Sequence, residues 1–177
     1  MIVRHKAWRI GDDVDTDQLA PGAYMKFGLD EIARHCLEGV RPDFAAGVQP
    51  GDVLVAGRNF GIGSSREQAA AALVHLGLKA VIAPSYSGLY FRNAFNLGLL
   101  LLTCPRAGEI EEGEAIGIDL PGQRVLRADG SALDCEPLPD FLLDMVQAGG
   151  LLMQLKRRLA DGSLPRHPLD AAPCPTP

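Results

Sequence analysis

Twelve consecutive residues, Gly57-Arg-Asn-Phe-Gly-Ile-Gly-Ser-Ser-Arg-Glu-Gln68, constrain the fold of this chain more than any other stretch. A Val/Leu-rich run, Asp52 to Ala56, leads into them and reads as a short buried strand. An Ala-rich segment, Gln68 to Leu76, leaves them and reads as a helix. Strand, glycine loop and helix start thus fall close together. A helix start presents unpaired backbone N–H groups and the positive end of the helix dipole, and glycines let an anion approach that backbone. Ser64, Ser65 and Arg66 add two hydroxyls and a planar cationic fork. The stretch reads as a site for a carboxylate or a phosphate. A serine N-cap beside an internally paired arginine is the plainer alternative.

Nucleotide readings fail on residues their chemistry requires. A P-loop needs Lys before the Ser/Thr, and Gly63 holds that position; a dinucleotide fingerprint starting at Gly61 needs a third Gly where Arg66 stands. A small anion held by Ser, Ser and Arg remains. Composition narrows the partners. With 177 residues the chain can build one domain with a real core. A formal charge of −5 argues against a nucleic-acid or acidic-membrane surface, and 6% aromatics leave little for base stacking. The basic stretch Met1 to Ile10 has no apolar core after it and does not read as a signal peptide. The longest apolar run, Leu97 to Thr103, is far shorter than the roughly 20 residues of a membrane span. Cys36, Cys104, Cys135 and Cys174 are scattered without a CxxC spacing. That pattern argues against a zinc or iron–sulfur site made by this chain alone, and for reduced thiols in a cytoplasmic setting.

In chain order, Val3 to Ile10 reads as a first strand, followed by Gly11-Asp-Asp-Val-Asp-Thr-Asp17, four carboxylates in a short run. The run lacks the Gly and Glu that an EF-hand requires at positions six and twelve, and reads as a polar turn. A functional reading places Thr16 and Asp17 beside the Ser64 loop. Leu19 to Gly28, with Pro21 and Gly22, is expected to be a loop. Its Tyr24-Met-Lys-Phe27 end either reads a substrate side chain or packs on the surface. Asp30 to Glu38 has helical spacing with Asp30 as its cap and a surface His35, and Arg41 to Gly51 is expected to be a linker. Gly77 should end the central helix. Lys79 to Ala83 and Leu97 to Thr103 read as strands around a helix over Leu89 to Phe95, where Arg92 and Asn93 are candidates for catalytic or fold support. Ala115 to Leu120, Arg124 to Arg127 and Ala132 to Glu136 read as further strands, and Pro139 to Ala148 and Leu151 to Leu159 as helices split by Gly149-Gly150. Strands alternating with helices indicate an α/β fold. Asp161 to Pro177, with five of the chain's 13 prolines, is expected to be a mobile tail.

Three stretches together resemble one family: Gly11-Asp-Asp-Val-Asp-Thr-Asp-Gln18, Asn59-Phe-Gly-Ile-Gly-Ser-Ser-Arg-Glu67, and Phe91-Arg-Asn-Ala94 with Asn96-Leu-Gly98. They are similar to the small subunit of 3-isopropylmalate dehydratase, the counterpart of the aconitase swivel domain, over Val3 to Leu159. The resemblance implies a swivelling β/β/α domain with a mixed central sheet flanked by helices over residues 1–160, with 161–177 as the tail. It implies a hydro-lyase that dehydrates and rehydrates a substituted malate, foremost the 3-isopropylmalate/2-isopropylmalate isomerisation of leucine biosynthesis. A separate large subunit is then expected to carry a [4Fe–4S] cluster on three cysteines. Its fourth iron would act as Lewis acid on the substrate, and this chain would be inert alone and hold no metal. By motif position Ser64 resembles the catalytic serine, Ser65 and Arg66 resemble ligands of the substrate carboxylate beside Gly63, and Thr16 and Asp17 match residues lining the same site.

Two departures bear on that resemblance. Family members often have Cys where Ile62 stands and His where Gln68 stands, so hydrogen bonding around the loop should differ. The loop with Tyr24 and Lys26 occupies the family's substrate-discriminating region. Homoaconitase-like relatives carry a cation there, so Lys26 either pairs with an extra carboxylate of the substrate or is a solvated surface lysine. Homoaconitate-, dimethylmalate- or methylcitrate-type acids, and a non-catalytic anion- or RNA-binding role, are the competing readings.

Overall fold

A computed structural model describes residues 2–162. The expected α/β fold is present, as one mixed seven-stranded sheet. Strands β1 (Arg4–Arg9), β2 (Val53–Val55), β3 (Ala80–Ala83) and β4 (Leu100–Thr103) run parallel in the order β4-β3-β2-β1. On the other side of β1, the strands β5 (Ala115–Asp119), β6 (Arg124–Leu126) and β7 (Ala132–Asp134) continue antiparallel. Every residue of β2 and β3 is buried, as expected of parallel strands covered on both faces. The sheet curls: just past β7, the Glu136 N–H donates to the Thr103 carbonyl of β4 at 2.8 Å, bringing its two ends together.

The seven strands expected from the sequence are all present, with ends displaced by up to a few residues. Leu97 and Gly98 precede β4, and Gly98 turns the chain in the left-handed region at φ 81°. Helices α1 (Thr16–Leu19), α2 (Leu29–Arg34) and α3 (Phe44–Gly47) lie between β1 and β2. Helices α4 (Glu67–His75) and α5 (Gly88–Asn96) link the parallel strands, and α6 (Asp140–Ala148) and α7 (Leu151–Ala160) close the described chain. In α4, Ala69, Ala70, Ala72 and Leu73 are buried, small side chains that bring the helix backbone close to its neighbours.

Five expectations are corrected. The region expected to be a linker, Arg41 to Gly51, contains α3, because Phe44 is fully buried edge-on to Trp8 at 5.6 Å between ring centroids. Trp8 Nε1 donates to Asp52 at 2.8 Å, which satisfies that ring's polar edge inside the core. The expected loop Leu19 to Gly28 contains a 3₁₀ helix, Gly22–Phe27. Gly28, with φ 94°, rather than Asp30, is the N-cap of α2, and Asp30 lies in its first turn. Leu76 is the C-cap of α4, with Gly77 immediately after it at φ 79°. His35 is half-buried rather than a plain surface residue. Of the expected tail, Asp161 and Gly162 form a turn, and 163–177 lie outside the described residues.

Candidate active site

The two polar motifs meet because β1 and β2 are parallel neighbours, paired through Arg9 and Val55. Parallel strands release their following loops at the same sheet edge, and here the loops remain joined. Gly57 N–H donates to Gly11 O at 3.0 Å, Asp13 N–H to Arg58 O at 2.8 Å, Gly61 N–H to Val14 O at 2.8 Å and Thr16 N–H to Ile62 O at 2.8 Å. Residues more than forty positions apart thus lie side by side.

The four carboxylates do not converge on a common point. Asp12 pairs with Arg58, Asp13 accepts from Asn59, and Asp17 pairs with Arg66. Asp15 closes a capping box on α1: it accepts from Gln18 N–H at 2.8 Å, while the Gln18 side chain accepts from Asp15 N–H at 2.9 Å. This agrees with the polar-turn reading of the run. The Asp-x-x-Gln spacing was a legible signal for that box. Among the described residues no group of three or more His, Cys, Asp or Glu side chains is arranged to hold a metal ion.

Thr16 and Ser64 form the centre. Thr16 is buried at the start of α1, and its Oγ1 accepts the Ser64 N–H at 3.0 Å. The same Oγ1 lies 3.1 Å from Ser64 Oγ. Either hydroxyl can donate in that contact, so Thr16 Oγ1 is placed to give its proton to Ser64 Oγ while accepting the backbone N–H. Gly63 makes this approach possible: it sits at φ 104°, and a Cβ there would lie 3.1 Å from Thr16 Oγ1. Gly61, at φ 78°, lies flat against the Tyr90 ring, where a Cβ would be 2.2 Å from the ring carbon Cγ. Tyr90 itself packs edge-on to Phe60 at 5.1 Å.

Ser64 and Ser65 are exposed and neither caps α4, whose N-cap is Arg66 without a side-chain cap bond. The serine-cap alternative therefore does not hold. Arg66 Nη1 donates to Asp17 Oδ1 and to Ala20 O, the latter at 2.9 Å. Both of these bonds use Nη1. The Arg66 hydrogen bond, followed by the Gly22 N–H and the Arg66 charge, holds the Asp17 carboxyl below its ordinary range against the opposing effect of desolvation. Asp17 also accepts from Gly22 N–H at 3.2 Å, tying the 3₁₀ helix to the cluster.

On that helix, Tyr24 stacks on His35 at 3.6 Å between centroids, and exposed Lys26 lies over Phe27 at 4.9 Å. Neither is hydrogen-bonded to the Ser64 cluster. Asn93, a support candidate from the sequence, is buried and donates to the Ser65 carbonyl at 3.0 Å, fixing the loop from behind, whereas Arg92 is exposed. The Tyr90–Gly61 contact gave no sequence signal, since nothing in the spacing of α5 pairs it with a glycine of an earlier loop.

Comparison with known proteins identifies the family. The family model for the aconitase C-terminal domain matches residues 42–107. The methanogen homoaconitase small subunit of Methanothermobacter thermautotrophicus is 44% identical over 163 residues, covering 91% of this chain and 95% of that protein. The 3-isopropylmalate dehydratase small subunit 1 of Methanopyrus kandleri is 44% identical, covering 88% and 94%. The crystal structure of a 3-isopropylmalate dehydratase, leuD, from Methanocaldococcus jannaschii superposes with a TM-score of 0.85 at 40% identity, over 92% of this chain and 98% of that one. The chain therefore belongs to the aconitase C-terminal, or swivel, domain family, among relatives named as small subunits of 3-isopropylmalate dehydratase and homoaconitase.

Proposed function

We propose that this chain is the small subunit of a two-chain hydro-lyase that removes and re-adds water on a substituted malate. The observation that carries this reading is the Thr16–Ser64 contact at the exposed start of α4, with Arg66 held beside it by Asp17. Ser64 is the base that takes the proton from the carbon next to a substrate carboxylate. A serine serves as a base only where positive potential is preorganised and water is excluded. The Thr16 hydroxyl, the N–H groups opening α4 and the Arg66 charge supply that potential. Ser65 and the free side of Arg66 hold the carboxylate, and Gly63, having no Cβ, leaves the space beside Thr16 Oγ1 open. Ser64 is solvent-exposed in this chain, so a second surface must cover it before it can work. A large subunit carrying the [4Fe–4S] cluster is the proposed cover, and its cluster supplies the Lewis acidity for the leaving hydroxyl.

The favoured reaction is the isomerisation of 3-isopropylmalate and 2-isopropylmalate. A homoaconitate-type acid is the second reading, favoured by Lys26, an exposed cation without an ion-pair partner among the described residues. The test is hydration and dehydration of a panel of acids by the chain co-purified with its cluster-bearing subunit under anaerobic conditions. The panel spans 2- and 3-isopropylmalate, citrate, homocitrate, citraconate and dimethylmalate. Turnover of an isopropylmalate by the mixture alone supports the first reading, and preference for homocitrate supports the second. Turnover by the isolated chain, or none by an intact complex on any acid, contradicts both.

A further inference from the structure

Two thiols outside the proposed chemistry meet where the curled sheet closes. The backbone bond from Glu136 N–H to Thr103 O, 2.8 Å long, draws the ends of β4 and β7 together. Cys104 and Cys135 are the residues next to that bond, one on each side of the seam, and both are free thiols. Both backbones are anchored by the sheet: Cys104 N–H donates to Ala83 O and Cys135 N–H to Gln123 O, each at 2.9 Å. Cys104 is buried, Cys135 is half-exposed, and a crevice of about 330 Å³ lined by Tyr86, Phe91, Thr103 and Glu136 adjoins the pair.

The environment of this pair differs from that of the third described cysteine. Cys36 is enclosed in apolar surroundings, and burial alone pushes its thiol far up, so it is inert. Cys104 moves down, first through the neighbouring Cys135 thiol and then because the Arg106 N–H and guanidinium favour its thiolate; Cys135 moves up, first through Cys104.

We propose that Cys104 and Cys135 are a redox-active dithiol that hydrogen peroxide converts to a disulfide, a covalent clasp across the seam between β4 and β7. The Cys104 thiolate attacks one peroxide oxygen, the O–O bond breaks, and the leaving hydroxide takes up the proton that Cys104 released. Cys104 is then a sulfenic acid. The Cys135 sulfur attacks the Cys104 sulfur, the S–O bond breaks, and the second hydroxide leaves with the Cys135 proton. Two thiols are oxidised by two electrons and one peroxide is reduced to two waters. Two thiols on adjoining, hydrogen-bonded backbones are the arrangement that lets such closure proceed without chain rearrangement.

The experiment treats the reduced full-length chain with equimolar hydrogen peroxide, blocks remaining thiols with an alkylating reagent and maps the peptides. The expected result is loss of two of the four thiols, one crosslink joining Cys104 to Cys135, reversal by a dithiol reductant, and a melting temperature higher by roughly 5–10 °C. Cys104→Ser should form no such crosslink; if that variant fails to fold, the peptide map of the unsubstituted chain decides. A crosslink through Cys36 or Cys174, accumulation of sulfinic acid without a crosslink, or a crosslink that leaves the melting temperature unchanged would overturn the clasp.

Discussion

Thr16 serves Ser64 twice, accepting its N–H at 3.0 Å and facing its hydroxyl at 3.1 Å. Valine has nearly the same shape and neither polar function. In the reconstituted complex, Thr16→Val should lower kcat by about 10²–10³, the cost of one preorganised donor to developing oxygen charge, with the circular dichroism of the chain unchanged. An unaltered kcat would remove Thr16 from the mechanism. The members of this cluster were legible in the sequence because each belongs to a short run of consecutive residues: Asp15-Thr16-Asp17 at one loop, Gly63-Ser64-Ser65-Arg66 at the other. Their mutual distances were not, since those depend on two parallel strands leaving the sheet at one edge. The Asn93 bond to Ser65 O was out of reach for the same reason; a side chain bonding a backbone carbonyl 28 positions away has no periodicity to reveal it. Tyr24 was legible only as a choice between substrate reader and packed residue, and its stacking on His35 favours packing.

At the scale of the element, the loop before α4 depends on α5 behind it. Gly61 combines a φ of 78° with a van der Waals fit to the Tyr90 ring that excludes a Cβ. Gly61→Ala should therefore destabilise the chain by roughly 2–4 kcal/mol, from left-handed strain and overpacking together; urea unfolding measures this directly. Helix α2 carries a separate pH dependence. His35, its C-cap residue, is raised above the ordinary imidazole range, first by hydrogen bonding to Glu38 and then by Glu31, with desolvation opposing. A raised folded pKa means that the contribution is fully present below about 6.5, the free-histidine value, and fades as pH rises through the folded value. The melting temperature should accordingly fall on the alkaline side of that range, and His35→Gln should flatten the decline. A variant with the same pH profile as the parent would rule His35 out as its source. Helical and strand periodicity located most elements. It missed α3 because Pro42 and Pro50 frame a four-residue helix too short to show a period, anchored by one buried side chain, Phe44.

For the whole molecule, the curled sheet serves to hold one sheet edge rigid. Four parallel strands fix where the β1 and β2 loops emerge, and the antiparallel strands β5 to β7 extend the sheet until its far end returns to β4. This mixed order is not readable from strand patterns, because β5, β6 and β7 have the same short alternation whether they pair with one another or with β4. The resemblance in the motifs supplied the fold that periodicity could not. Most of the described chain thus forms a scaffold, and the proposed chemistry is confined to an exposed loop that, on this proposal, acts when another surface covers it. The direct measurement is turnover by the complex of this chain, carrying Ser64→Ala, with an intact cluster-bearing large subunit, compared with the unsubstituted complex at saturating substrate. The proposed mechanism predicts that the variant assembles with the same stoichiometry and cluster spectrum but loses kcat by orders of magnitude, with a smaller change in KM. Normal turnover by the assembled variant would contradict the role of Ser64 as the base.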